Sequence, residues 1–562
     1  MTSEAMTTNS VRDQVSASFA GAAIPIIQLL IRDYPDETVI VVQVPTEHLQ
    51  AAAELGNRLD GELQGRGFQG FVTVRTGEAA PSAPAPFRAR AGVADERVAD
   101  LIALISERAR TSEAQPSLHY VRDAAANVAR VRARRHSLIF GRRGAGKTAL
   151  MLEVKRQAAE AGEVAVWLNL QTYRRESFQR VVLWVAARIC DALLLELRAE
   201  PRREPLSAAI AALRASVERM LGLDSVDVEQ VHRLTPQMQS VVQRFTESTA
   251  RRLYVFLDDV HYIHRAEQPD LLDLLHGMVR DADAWLKVAA IRHFSKWYRI
   301  NPPTGLQAGQ DADAIDLDLS LQEPVRAKQF LEEVLLAFAE HAGIPTLKGL
   351  FASDALDRLV LASGAVPRDY LVLAGNAIGH ARRRERARVV GKQDVAAAAG
   401  DIAQAKMAEL EDDAAAAAGT AQQMILGLQR LRDFCIDDKK YTFFYVDFKD
   451  KETQVDEYTL LQSLVDVRLV HILNASVSDA HQSGERAEAY MLDSSQFSGA
   501  RFKKYLRVLD LVSGQLVMRE TGTTNPARVG DTPRKLLTIL RTAPPFALRQ
   551  FAEIVRYQET TA

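Results

Sequence analysis

The stretch His136–Leu150, HSLIFGRRGAGKTAL, leaves this chain little freedom in how it folds. Gly141 is followed by four residues and then by Gly146-Lys147-Thr148, the spacing G-x-x-x-x-G-K-[ST]. The run Ser137–Phe140 ahead of it is short and apolar, as the end of a buried strand is. Behind it, Ala149 to Gln157 carries helix formers, among them Leu150, Met151, Leu152, Glu153 and Lys155. Gly144 and Gly146 lack a Cβ, so the backbone can curl and aim successive N–H groups at one point. The helix that follows adds the positive end of its dipole, which favours an anion. Lys147 places a charge near the β- and γ-phosphates of a nucleotide, and the Thr148 hydroxyl can ligate Mg²⁺. Gly141, Gly144, Ala145, Gly146, Lys147, Thr148 and Ala149 are therefore the expected nucleotide-binding segment. A chance glycine-rich turn is the weaker reading.

A second motif fits the first. Leu253–Val260, LYVFLDDV, runs four apolar residues straight into Asp258-Asp259, a Walker B pattern. In open parallel sheets ligands sit beyond the carboxyl ends of the strands, so an acid there lies beside the phosphate loop. Asp258 is the expected carboxylate on the Mg²⁺ side, and Asp259 the group that orients or polarises an attacking water. Leu286–Ala290 reads as another parallel strand, ending at Ile291-Arg292-His293. Arg292, at that polar tip, is the residue expected to reach a γ-phosphate. Its plain alternative is a surface arginine.

Strands and helices alternate through this region, which predicts an α/β fold with a doubly wound parallel sheet. The expected ATPase core spans residues 94–310. An all-helical lid follows over 311–408, with helices at Pro324–Ala342, Asp354–Ala362, Tyr370–Arg384 and Gln393–Ala405. Asn301–Gln310 reads as a Pro/Gly-rich turn region, and helices are expected at Ala94–Arg110 and Tyr120–Arg135. Within the lid, Gly364-Ala365-Val366-Pro367-Arg368 puts Arg368 near a helix start, where a buried anion would accept it. Arg382–Arg388, RRRERAR, reads first as a solvated helix end.

Ahead of the core, residues 1–80 form a small α/β module. Val11–Arg32 has helical periodicity, Thr38–Val44 is a β-branched strand, a helix capped by Thr46 follows, and Phe71–Arg75 is a second strand. Residues 81–93 are an Ala/Pro-rich linker. Behind the lid, 409–419 is an acidic, alanine-rich connector, and 420–562 reads as a winged-helix-like domain. There a helix, the strand Tyr441–Phe448 and the helix Asp456–Val467 precede two strands joined by a polar loop. Arg501–Val512 reads as a further helix.

Charge and cysteine content narrow the classes. Seventy Lys and Arg against 72 Asp and Glu leave a formal charge of −2, so nucleic-acid contact would need a local patch. The expected second helix of the winged helix carries Asp456, Glu457 and Asp466 against Arg468 alone, which disfavours DNA. Cys190 and Cys435 make no disulfide framework. The apolar stretch Phe19–Ile31 is too short to span a bilayer. A cytoplasmic location with no membrane contact is the expectation.

A Walker A at Gly141–Thr148, a Walker B ending in Asp258 and Asp259, the strand tip at Arg292, and a lid with Gly364 and Arg368 together resemble the AAA+ and STAND P-loop ATPases. A winged helix after the lid looks like the origin-recognition initiator branch of AAA+ and the related STAND signalling ATPases. The resemblance covers residues 94–512. It implies ATP and Mg²⁺ as ligands and Arg368 as a sensor of the γ-phosphate. It also implies a homo-oligomer or a protein partner held through the N-terminal module and the winged helix. Arg280, Arg292 and Arg299 are candidates for a finger acting across subunits. Asp-Asp replaces the Asp-Glu of AAA+ motors, and His261 makes the motif similar to the Asp-Asp-x-His of many STAND proteins. The chain then reads as a slow nucleotide switch, in keeping with bacterial signalling or defence. An initiator-like DNA-binding ATPase and a nucleotide-binding scaffold without turnover stay open as alternatives.

Overall fold

A computed structural model describes residues 8–556 apart from 34–37, 67, 69, 77–90, 110, 114–119, 122–125, 199–203, 293, 320, 416–419, 479–485, 499–502, 513–514 and 523–532. The linker expected over 81–93 lies outside the described residues as far as 90. So do the first seven residues of the N-terminal stretch, 416–419 of the connector and most of the winged-helix loop.

The chain divides into two compact units, Met1–Arg88 and Ala89–Ala562. In the first, helix α1 (Thr8–Gly21) precedes strands β1 (Gln28–Asp33) and β2 (Thr38–Val44), helix α2 (Leu49–Gly65) and strand β3 (Gly70–Thr76). β1 pairs antiparallel with β2, and β2 parallel with β3. The long helix expected over Val11–Arg32 therefore stops at Gly21. Pro25 disfavours its continuation, and Leu29–Ile31 joins the sheet instead. Thr46 caps nothing, because it opens a short 3₁₀ turn, and α2 starts at Leu49 after His48. Val11, Val15, Phe19, Ile40, Val42 and Leu59 close this unit's core.

The second unit opens with helices α3 (Arg97–Arg108) and α4 (Asn127–Arg132). Among the described residues the helix expected over Tyr120–Arg135 is α4, which begins after Ala126 in the left-handed region at φ 51°. Then come β4 (His136–Phe140), α5 (Lys147–Glu160), β5 (Val164–Asn169), α6 (Phe178–Leu197), α7 (Glu204–Leu221), α8 (Val228–Thr249), β6 (Leu253–Asp258), α9 (Gln268–Val279) and β7 (Ala284–Ala290). A two-residue hairpin, β8 (Tyr298–Arg299) with β9 (Thr304–Gly305), leads to β10 (Ala312–Asp316). The central sheet has the order β10-β4-β7-β6-β5 and is parallel throughout. β10 has no counterpart in the expected elements, and it carries the sheet past residue 310. Its sequence ADAID holds one large apolar residue, Ile315, too little for a strand signal. The inner strands read as buried because they are. Every residue of β4 and β6 is buried, as parallel strands covered on both faces must be.

The lid comprises α10 (Pro324–His341), α11 (Ser353–Ala362), α12 (Pro367–Arg383) and α13 (Lys392–Ala415). Val98, Leu101 and Ile105 of α3 share its core with Ala91 and Val93. Ile105 touches Gly375 of α12 so closely that an added Cβ would sit 3.4 Å away.

After α14 (Thr420–Arg432) and one π-helical stretch, the C-terminal part has β11 (Phe443–Asp447), α15 (Phe448–Thr453), α16 (Val455–Asp466), β12 (Val470–Ser478) and β13 (Arg486–Leu492). Helix, strand, two helices and a sheet ordered β11-β13-β12 make a winged helix. Where a helix was expected, Arg507–Val512 is strand β14, paired with β15 (Gln515–Glu520). Val508, Leu509 and Leu511 suit either period, and the antiparallel pairing with Gln515–Glu520 makes the segment a strand. Among the described residues no helix is long and apolar enough to cross a membrane. Both cysteines are buried and unpaired.

Candidate nucleotide site

The turn from β4 into α5 builds the site. Gly144 and Gly146 hold φ of 83° and 100°, left-handed values that suit glycine. Lys147 is buried, and its Nζ donates to the carbonyls of Gly141 at 2.7 Å and Arg142 at 3.2 Å. Burial lowers the Lys147 pKa, while Asp259, Asp258, Asp318 and Asp466 oppose the shift. A buried cation facing that loop is what a polyphosphate would pair with.

β6 delivers the acids. Thr148 Oγ1 donates to Asp258 Oδ2 at 2.7 Å. Asp258 is fully buried, and its Oδ1 has no hydrogen-bond partner. Burial, then the charge of Asp259, raises the Asp258 pKa; Thr148 and Lys147 pull the other way. Hard oxygens from Asp258 and Thr148 suit Mg²⁺, which takes one or two protein ligands and fills its sphere with phosphates and water. Among the described residues no group of three or more His, Cys, Asp or Glu could hold a metal by itself.

Asp259 sits at φ 60°, in the left-handed region that Asp tolerates better than most residues. Asn169 Nδ2 donates to its Oδ2 at 3.3 Å. Asn169 ends β5 directly beside Asp258, so the two strand tips hold the acid between them. Sequence reasoning passed over Asn169, although a polar residue closing the apolar strand VAVWL was a usable signal.

These groups face a cavity of about 1690 Å³ lined by Gly144–Ala149, Asp258, Asp259 and Arg368. Tyr120 and Val121 line it from one side, and Val334, Phe338 and Leu371 of the lid from the other. The lid touches the loop directly. The N–H of Arg368 donates to the Gly144 carbonyl at 3.3 Å, and a Cβ on Gly144 would fall 2.8 Å from Arg368 Cβ.

Arg292 sits at the edge of this cavity, next in the chain to the lining residue Ile291. It pairs with Asp316 at 3.2 Å, stacks over the Phe140 ring with its guanidinium carbon 4.3 Å from the centroid, and is not among the cavity's lining residues. β10 supplies its partner, Asp316, which itself lines the cavity, so a γ-phosphate contact would need Arg292 to leave that pair. Arg299 is likewise engaged, by Asp270 at 2.7 Å.

The winged helix also reaches the loop. Arg142 is buried and donates to Asp318 Oδ1, to the carbonyls of Leu319 and Gly364, and to His471 Nδ1 at 3.4 Å. His471 Nε2 faces Asp493 Oδ2 at 2.8 Å, and Lys406 Nζ meets that oxygen at 2.7 Å. Lys406 pairs with Asp369 of the lid at 3.1 Å, and Asp369 pairs with Arg468. Burial lowers the His471 pKa against the pull of Asp493. A neutral ring with Nε2–H towards Asp493 and Nδ1 accepting from Arg142 satisfies both contacts. Burial pushes the Asp493 carboxyl up, but Lys406 and His471 together outweigh it and hold its pKa low. No spacing in the sequence ties Arg142, a variable position of the loop, to residues more than 300 positions away.

Residues 115–284 match the family described as AAA ATPase domain. Nothing among the curated proteins matches the chain. A solved structure described as that of the Aeropyrum pernix Orc1 protein in complex with DNA is 15% identical. It matches over 66% of this chain and 90% of its own, with a TM-score of 0.35.

Proposed function

Taking residues 115–284 as an AAA ATPase domain, we propose that this chain is an ATP-binding, slowly hydrolysing switch whose nucleotide state sets whether the winged helix stays docked on the phosphate loop. Release of that docking would control assembly with further copies or with a protein partner, in a signalling or defence setting. The observation that carries the reading is the contact of Arg142, in the loop, with His471, in the winged helix.

In this reading the phosphates lie along Gly144–Ala149 with Lys147 as their paired charge. Thr148 and Asp258 hold Mg²⁺, which neutralises phosphate charge when bound. Asp259 orients the attacking water. Tyr120, Val121 and the apolar lid residues form the less polar end of the cavity, suited to a base. Arg368 couples the lid to the γ-phosphate. A phosphate bound at the loop competes for the charge environment that Arg142 and Asp466 create there. A ligand shifts such an equilibrium only through its different affinity for the two states.

Sizing the full-length protein without nucleotide, with ADP and with a non-hydrolysable ATP analogue tests the reading. A larger or more extended particle with the ATP analogue alone is expected. Identical particles in all three conditions, with nucleotide binding verified, would refute it. The DNA-binding alternative is weakened by Arg468, the sole cation at the end of α16, which is buried against Asp369.

A further inference from the structure

His261 is the buried group at the site that nothing above employs. It lies in the short turn after Asp259, lines the nucleotide cavity, and its side chain is only 7% exposed. Neither ring nitrogen has a hydrogen-bond partner. Burying two polar nitrogens without partners is costly, and folded proteins rarely tolerate it unless a ligand or water completes the set. The ring is held in place from behind. It lies against Tyr262 with centroids 4.7 Å apart, and the Tyr262 hydroxyl accepts from Arg143 at 2.9 Å.

The distance to Asp259 gives the ring a task. His261 Nδ1 is 4.0 Å from Asp259 Oδ1. That is too long for a hydrogen bond and right for one water held at ~2.8 Å from each. Asp259 Oδ2 is occupied by Asn169, so Oδ1 is the oxygen turned to this gap. Burial and the charges of Lys147 and Arg143 keep the ring neutral, so one nitrogen is an acceptor.

We propose that His261 and Asp259 together grip the water that attacks the γ-phosphate, with one water hydrogen on each, so that the oxygen lone pair faces phosphorus. This rests on the reading of the cavity as an ATP-hydrolysing site. The water oxygen bonds to the γ-phosphorus as the bond from that phosphorus to the β–γ bridging oxygen breaks. ADP departs with the electron pair, and the water proton passes to Asp259 and on to phosphate or solvent. An aspartate is one methylene shorter than a glutamate, and a second holder compensates for its shorter reach.

The experiment measures steady-state ATP turnover and separate ATP and ADP affinities for the full-length wild type, His261→Ala and His261→Asn. The alanine variant should lose roughly 30-fold or more in kcat, with KM and both affinities within about twofold. Asparagine, whose amide oxygen reaches the Nδ1 position, should recover part of the rate. Unchanged kcat in the alanine variant overturns the proposal. So does a selective loss of ATP over ADP affinity with kcat preserved, which would make His261 a γ-phosphate ligand. A wild type that binds ATP without turnover removes both this inference and the hydrolytic part of the proposed function. Wild-type ADP affinity in either variant shows that the site has folded.

Discussion

The guanidinium of Arg142, inside the phosphate loop, donates to Nδ1 of His471, at the start of the winged-helix sheet, over 3.4 Å. The same guanidinium donates to the Gly364 carbonyl of the lid at 3.2 Å, so one cation is shared by three parts of the fold. His471→Ala removes two hydrogen bonds to charged groups, one to Asp493 and one across to the loop at Arg142, and the one to Arg142 contributes about 1.5–3 kcal/mol to the docking. The balance between docked and released winged helix should move roughly 10- to 100-fold, with faster exchange of a fluorescent ADP and a larger scattering radius. Gly364 offers a second route. It holds φ 57°, and an added Cβ would lie 2.1 Å from His471 Cε1. Gly364→Ala should therefore reproduce the release. Wild-type exchange and radius in both variants would mean that the contact restrains nothing.

The phosphate loop was legible because its chemistry is local. Glycines, Lys147 and Thr148 sit within eight positions, and the strand and helix around them have their own patterns. Asp258 and Asp259 were legible because a buried parallel strand leaves a continuous apolar run before its acid. What stayed hidden depends on distant chain. Arg292 takes Asp316 as partner because β10 pairs beside β4, and β10 is too polar to announce itself. The run from Lys406 through Asp493 to His471 joins three segments that no period links. Strand β1 and strand β14 were read as helix because short apolar runs fit both periods until a proline or a partner strand decides.

Lys147→Ala should lower ATP affinity by roughly 100-fold, the equivalent of a charge-assisted contact of about 1.5–3 kcal/mol. Folding should survive, since Lys147 satisfies carbonyls of the loop alone. Calorimetric titration measures this, and near-normal affinity would remove the phosphate assignment.

The two acids should separate in their effects. Asp259→Asn keeps the hydrogen bond geometry with Asn169 within reach but loses the charge that orients water, so binding persists and turnover falls at least ~100-fold. Asp258→Asn should instead weaken the dependence of ATP binding on Mg²⁺, because one hard anionic ligand is lost. Turnover at the wild-type rate in the first variant would place the catalytic acid elsewhere.

Stability should fall in acid through His136. Burial, with further contributions from His276, Lys287 and Arg280, lowers its pKa to about 3, and its Nδ1 accepts from the Leu286 N–H at 3.0 Å. Between pH 6.5 and 3 the unfolded chain binds a proton that the folded chain refuses. Its contribution is complete above pH 6.5 and is lost on descent through that window, by up to ~5 kcal/mol at about 1.4 kcal/mol per unit. His136→Asn can still accept from Leu286 and does not titrate there. Denaturant unfolding from pH 7 to pH 4 should show a shallower decline for that variant. Parallel curves would assign the acid sensitivity to other groups.

The last prediction concerns DNA. In DNA-reading winged helices the second of the paired helices enters the major groove. Here that helix is α16, and Leu460 through Asp466 are buried within the protein. Arg468, just beyond it, is buried and paired with Asp369 of the lid, which also holds Lys406. What α16 leaves exposed includes Asp456, which repels a phosphate backbone. Full-length protein should therefore bind duplex DNA weakly at moderate salt and without sequence preference. Arg468→Ala should leave that weak affinity unchanged while destabilising the chain by about 1.5–3 kcal/mol, because buried Asp369 loses one of its two cations and keeps Lys406. DNA titration at two salt concentrations and denaturant unfolding give the two readouts. Tight binding that falls steeply with salt and is lost in Arg468→Ala would show that the winged helix leaves its dock to read DNA, and would favour the initiator-like alternative over the switch.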